Sequence, residues 1–123
     1  MENHYGKGKT LLIGTFPGAG YYAHHSPEGK AFFASLLAWA GIEQNVRSDD
    51  PDIKARVHTG PGGTYLWVVN TTRTPRSVSI RLAQKFGSFS SARDYWQEQK
   101  HVAAGQNVQA TVGDRDVAVI RLE

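Results

Sequence analysis

The chain has 123 residues, 40% hydrophobic and 20% charged, which suits one modest domain with a real core and is ordinary for a globular protein. It has no cysteine, which removes disulfides, thiolate nucleophiles and thiolate metal ligands. The net charge of +3 is uneven: residues 1–52 carry an excess of acids and residues 53–123 hold most of the Lys and Arg, so a solvated surface or a basic binding face is the choice there.

The first feature along the chain is a basic turn, Gly6-Lys7-Gly8-Lys9, running into Thr10-Leu11-Leu12-Ile13-Gly14-Thr15. This pattern predicts a short buried strand over Lys9–Thr15. Few residues precede it, so it reads as the last strand of a larger domain, short of at least one sheet partner. An unpaired apolar edge recruits other chains, and self-association is therefore expected. Phe16–His25, with Pro17 and the pair Tyr21-Tyr22, reads as a loop. A helix is predicted over 27–40. Ser26 suits its N-cap, Pro27 its first position, Glu28 its dipole and Gly41 its stop. Phe32, Phe33, Leu36, Leu37, Trp39 and Ala40 form an apolar face expected to pack on a sheet.

Glu43–Asp52 is polar and reads as a linker. Beyond it, short apolar-alternating runs are separated by turn signals. Strands are predicted at Ile53–His58, Thr64–Asn70, Val78–Leu82, Ser91–Trp96, Val108–Val112 and Asp116–Leu122. The pattern predicts a mainly β fold, an antiparallel β-sandwich or small barrel, preceded by a strand and one packed helix. The expected domains are 1–45 and 53–123.

Tests for chemistry are mostly negative. Gly8-Lys9-Thr10 lacks the upstream glycine of a phosphate loop, and its strand and helix are in the wrong order. The five histidines show no zinc-site spacing. No serine lies in a Gly-x-Ser-x-Gly elbow. A glycosidase needs two rigidly held carboxylates. Asp94 and Glu98 are near each other in sequence, but both are expected to lean outward in surface or turn roles. No catalytic, cofactor-binding or metal-binding residue is therefore assigned. Asn70-Thr71-Thr72 fits the glycosylation pattern, yet a turn held by its own side chains is the expected reading. Flat exposed rings are the mark of carbohydrate modules. Trp39 and Trp67 are expected in the core, which leaves Tyr95 and Trp96 as candidate carbohydrate-binding residues. No run is long enough to span a bilayer, and neither membrane nor nucleic-acid partners are expected.

The order of these pieces resembles the C-terminal region of the family 42 bacterial β-galactosidases. Tyr5-Gly6-Lys7-Gly8-Lys9 followed by Leu12-Ile13-Gly14-Thr15 resembles the final strand of the family's trimerisation domain. Ala40-Gly41-Ile42 resembles the end of the helix that follows. Tyr65-Leu66-Trp67-Val68-Val69-Asn70-Thr71-Thr72 and the closing Val117-Ala118-Val119-Ile120-Arg121-Leu122 look like strands of its C-terminal β-domain. The family's catalytic glutamates lie on a (β/α)₈ barrel of roughly 250 residues, too large for this chain, and none maps here. Residues 83–107 match the family poorly, and Tyr95–Ala104 looks longer than its usual turn. The resemblance implies a non-catalytic accessory domain of a glycoside hydrolase, with the parent's catalytic barrel as partner, a structural and assembly role, and cytoplasmic location. The alternative is a carbohydrate-binding module that recruits substrate through exposed rings and basic strand faces. Buried Trp39, Trp67 and Trp96 would favour the structural role, and two coplanar exposed rings in a groove would favour the binding module.

Overall fold

A computed structural model describes residues 1–123. They divide into two compact units, Met1–Glu43 and Gln44–Glu123. No helix is long and apolar enough to cross a membrane.

In the first unit, β1 (Glu2–Tyr5) and β2 (Gly8–Leu11) form a two-stranded antiparallel hairpin in which Tyr5 pairs with Gly8. Gly6, at φ 57°, takes the left-handed conformation that the two-residue turn requires. The single buried strand expected over Lys9–Thr15 is corrected: β2 stops at Leu11, and both strands are exposed. The polar run Glu-Asn-His-Tyr supplies the partner locally, and a two-stranded ribbon has no sheet face to bury. The expected loop after it is also corrected. Pro17–His24 is a helix, α1, started by Pro17 and ended by His25 in the left-handed region.

The second helix, α2 (Pro27–Trp39), forms as its sequence predicts. Ser26 Oγ accepts the Gly29 N–H at 3.0 Å, so one orphan donor of the first turn is satisfied. At the other end Gly41 is left-handed, and the Ile42 and Gly41 N–H groups donate to Leu37 and Ala38 carbonyls in a Schellman closure. The Tyr21 ring meets Phe33 edge-on, with centroids 5.7 Å apart. Gly29 permits this approach, since a Cβ there would stand 2.9 Å from Tyr21 Cδ2. Trp39 Nε1 donates to Glu2 Oε1 at 2.9 Å, and Lys9 Nζ sits 4.6 Å from the Trp39 ring centroid and donates to the Trp39 carbonyl. The expected burial of the α2 face is incomplete. Phe32, Phe33, Leu36, Leu37 and Trp39 are half-buried, Ala40 is exposed, and no residue of this unit is fully buried.

The second unit is an eight-stranded, nearly closed antiparallel sheet. Its strands are β3 (Val46–Ser48), β4 (Ile53–Gly60), β5 (Gly63–Asn70), β6 (Arg76–Leu82), β7 (Ala92–Asp94), β8 (Lys100–Ala104), β9 (Asn107–Val112) and β10 (Val117–Leu122). They lie in the order β3-β6-β9-β8-β7-β10-β5-β4. Two expectations change here. The expected linker contains β3, which pairs with β6 from Val46↔Leu82 to Ser48↔Ile80. The unassigned stretch contains β8, which pairs with β7 at its start and β9 at its end, so it carries the sheet round the corner. Alternate residues of each strand point inward. Leu66, Val68, Ile80, Leu82, Val108 and Ile120 are at the centre of the core.

Asn70 closes one end of this core. Its amide donates to the Thr74, Val112 and Gly113 carbonyls, and its oxygen accepts from the Thr72 N–H and hydroxyl. The side chain is buried with both ends engaged, so it serves the turn, as the sequence reading expected, and is no accessible glycan acceptor.

Candidate functional site

The outer face of β4, β5 and β10 carries the most distinctive surface of the second unit. Tyr65, Trp67 and Val69 point away from the core side of β5, opposite in parity to Leu66 and Val68. Trp67 is flanked on one strand by Arg56 and on the other by Val119. The expectation that Trp67 lies in the core is thus overturned: it is 38% exposed. The strand is apolar on both faces, so periodicity alone leaves the inward set undecided.

Tyr95 and Trp96 come from the turn between β7 and β8 and are 61% and 65% exposed. They lie over the same face. With His58, Tyr65, Trp67 and Val119 they line a cleft of about 500 Å³. Val119 is its floor, only 5% exposed although it points outward. The Trp67 and Trp96 centroids are 6.4 Å apart with planes at 82°, and His58 packs edge-on to Trp67 at 6.1 Å. Tyr65 and Tyr95 repeat the edge-to-face arrangement at 6.1 Å. The rings therefore form a corner and not the coplanar platform of the simplest sugar-binding arrangement.

The turn that presents Tyr95 and Trp96 is held by Asp94. Its Oδ1 accepts the N–H groups of Trp96 at 2.8 Å and Gln97 at 2.7 Å. The Tyr95 N–H donates to the Val119 carbonyl, tying the turn to β10. Gln97 Nε2 adds a 3.1 Å bond to Asp116 Oδ2. The expectation that Asp94 leans outward is corrected: the residue is 2% exposed, and its carboxylate is committed to backbone amides. Glu98 stays exposed, at the left-handed position of the turn.

Behind Asp94 is His101, whose side chain is also 2% exposed. Its Nε2 stands 4.0 Å from Asp94 Oδ2 and has no hydrogen-bond partner. Burial pushes the His101 pKa below its ordinary value of 6.5, against an opposing pull from the Asp94 carboxylate. No group of three or more His, Asp or Glu side chains is placed to hold a metal.

No protein-family model matches the chain, and no curated protein does. Among solved structures, it is similar in fold to part of a β-galactosidase from Bacillus circulans sp. alkalophilus, with TM-score 0.51 and 19% identity. That match covers 77% of this chain and 12% of the other. AmyP in complex with maltotriose matches with TM-score 0.50 and 13% identity, over 78% of this chain and 21% of that one. A catalytic mutant of Gan42B, a GH42 β-galactosidase from G. stearothermophilus, gives TM-score 0.49 and 11% identity over 77% and 12%. At such identities the likeness is one of fold. The chain spans a small part of the length of each of these proteins.

Of the two residues singled out in the sequence, Tyr95 and Trp96, the structure brings both to the cleft. The sequence reading missed Trp67, Tyr65, His58 and Val119. The available signal was parity: Tyr65 and Trp67 share the phase of polar His58 and Arg56 across the hairpin.

Proposed function

We propose that the chain is a non-catalytic accessory region of a glycoside hydrolase, and that its β unit holds carbohydrate in the Trp67–Trp96 cleft. The fold, shared with a small part of a β-galactosidase, supports the first half. The exposure of Trp67 and Trp96 supports the second, because a purely structural cap would bury them; the rings are perpendicular and not coplanar, so the reading takes them as a corner. A pyranose offers an apolar C–H face and a hydroxyl-bearing edge. Two perpendicular rings meet both: one stacks on the sugar face while the other grips its side. The cleft is lined mainly by aromatic and apolar side chains with the polar His58 ring among them, as small-ligand sites are. Affinity electrophoresis of the purified chain through gels containing plant and bacterial polysaccharides tests this. Retardation is expected, and it should vanish in Trp67→Ala and Trp96→Ala. Unchanged mobility in every polysaccharide would remove the binding role.

The structural and assembly role is supported by a separate observation in the first unit. Leu12, Phe16, Tyr22 and Ile42 are exposed there, and β2 has an unpaired edge in its two-stranded sheet. Such surface is stabilised by cover from another domain or a second copy. In this reading the parent's catalytic barrel or a neighbouring protomer docks on residues 1–43. Light scattering behind a size-exclusion column should show a species larger than 13.5 kDa that shrinks on dilution. A strict monomer over a hundredfold range of concentration would rule out docking between copies.

A further inference from the structure

The cleft has a charged margin that a neutral ligand would leave unanswered. The registers set five residues in one row across the outer face. Lys100 is opposite Arg93, Arg93 opposite Arg121, Arg121 opposite Tyr65, and Tyr65 opposite His58. Lys100, Arg93 and Arg121 are all exposed, so three cations stand side by side on adjacent strands. Directly opposed residues have Cβ atoms about 4.5–5.5 Å apart, and like charges at that spacing destabilise a sheet. A single carboxylate answers the row: Glu123 Oε1 lies 3.0 Å from Arg121 Nε. Arg93 and Lys100 form no ion pair, and neither does Arg56, the strand neighbour of Trp67. None of the outward residues of β4, β5, β7 and β10 is acidic.

The adjacent row carries the rings. The bond from the Tyr95 N–H to the Val119 carbonyl places Tyr95 beside Val119, which is opposite Trp67, which is opposite Arg56. Apolar faces and cations, of which only Arg121 has a carboxylate partner, thus run in parallel, two residues apart along each strand. We propose that the cleft takes an acidic saccharide, a chain bearing carboxylate or sulfate groups. Its sugar faces rest on Trp67 and Trp96, and its anions lie along Arg93, Arg121 and Lys100. The planar guanidinium fork matches both oxyanions in bidentate geometry. The proposal rests on the carbohydrate reading of the cleft and adds the charge of the ligand.

Isothermal titration calorimetry on the full chain tests it with four probes: an oligogalacturonate, a sulfated galactan oligosaccharide, a neutral galactan oligosaccharide and a single-stranded oligonucleotide. At least one acidic saccharide should bind roughly tenfold tighter than the neutral one at low salt, and screening should narrow the gap as salt rises. Arg93→Gln removes one of three crowded cations and should leave the fold intact by circular dichroism. It should cut the preference for the acidic chain several-fold and leave neutral binding unchanged. Trp67→Ala should weaken both. Equal binding of neutral and acidic chains, still dependent on Trp67, would keep the cleft and overturn the acidic ligand. No binding of any saccharide would remove both readings. An oligonucleotide held as tightly as the acidic saccharide would show unselective attraction of polyanions and would also overturn the proposal.

Discussion

Residues 1–43 and 44–123 each form hydrogen-bonded elements with well-made ends, yet only the second set closes around side chains that water does not reach. The first unit has a capped helix, a Schellman closure and a tight hairpin, and still buries no residue completely. Local signals suffice to start and stop elements. They do not supply a core, and most helical stability comes from a buried face. The second unit inverts this balance. Several of its strands are only three to six residues long, and their stability comes from the shared interior. A rigid interior also positions a surface, and the aromatic cleft is found on this unit, on strands whose other faces are locked in the core.

Paired truncations separate the two units by the largest margin. Leu66→Ala empties a fully buried position and should cost about 2–5 kcal/mol in urea denaturation followed through the β unit. Leu12→Ala removes an exposed side chain and should shift the same transition by no more than about 0.5 kcal/mol. Similar losses for the two would mean that Leu12 is covered, and that residues 1–43 share one cooperative core with the sheet.

These contrasts also explain what was legible in the sequence. The second helix could be read because Ser26, Pro27, Glu28 and Gly41 each act locally. Strands β5, β6, β9 and β10 could be read because their inward residues are aliphatic and their turns are marked. The first helix was hidden by Gly18 and Gly20, each costing about 1 kcal/mol in a helix interior, although Pro17 at its start was a usable sign. Strand β8 was hidden because Lys-His-Val-Ala-Ala has weak β character, and its pairing with β7 and β9 is a tertiary matter. Tyr95 and Trp96 were legible as rings beside a turn. Trp67 was not, because a strand apolar on both faces conceals which side is inward. Asp94 was misplaced for a related reason. An Asp before a turn reads as surface, and only the structure shows it buried with His101.

pH gives a smaller effect confined to the β unit, which alone holds the Asp94–His101 pair. The folded His101 pKa is below 6.5, so the unfolded chain binds its proton more readily. The neutral histidine's contribution to stability is complete above 6.5 and is lost as pH falls through that value toward the lower folded pKa. The urea midpoint of the β unit should therefore decline between about pH 7.5 and pH 5.5. A His101 titration by NMR with a midpoint above 6.5 would contradict this, because it would mean that Asp94 holds a buried imidazolium. Asp94→Asn, which weakens the acceptor for the Trp96 and Gln97 amides, should loosen the aromatic turn and bring hydrogen exchange at those two positions close to that of free peptide.

The smallest expected effect on stability separates scaffold from site. Trp96 is 65% exposed, and its ring stands perpendicular to that of Trp67, with centroids 6.4 Å apart. Little apolar surface is hidden by it, so Trp96→Ala should change unfolding free energy by about 0.5 kcal/mol or less. Its backbone N–H, not its ring, is what Asp94 holds, and alanine keeps that bond. The turn should therefore persist while one wall of the cleft disappears. Trp67 is a contrasting case, since its ring shields Val119 and its removal should cost more. If Trp96→Ala instead lowered stability by several kcal/mol, the ring would be a structural strut. The cleft would then be a packing feature of the sheet and not a place for a ligand.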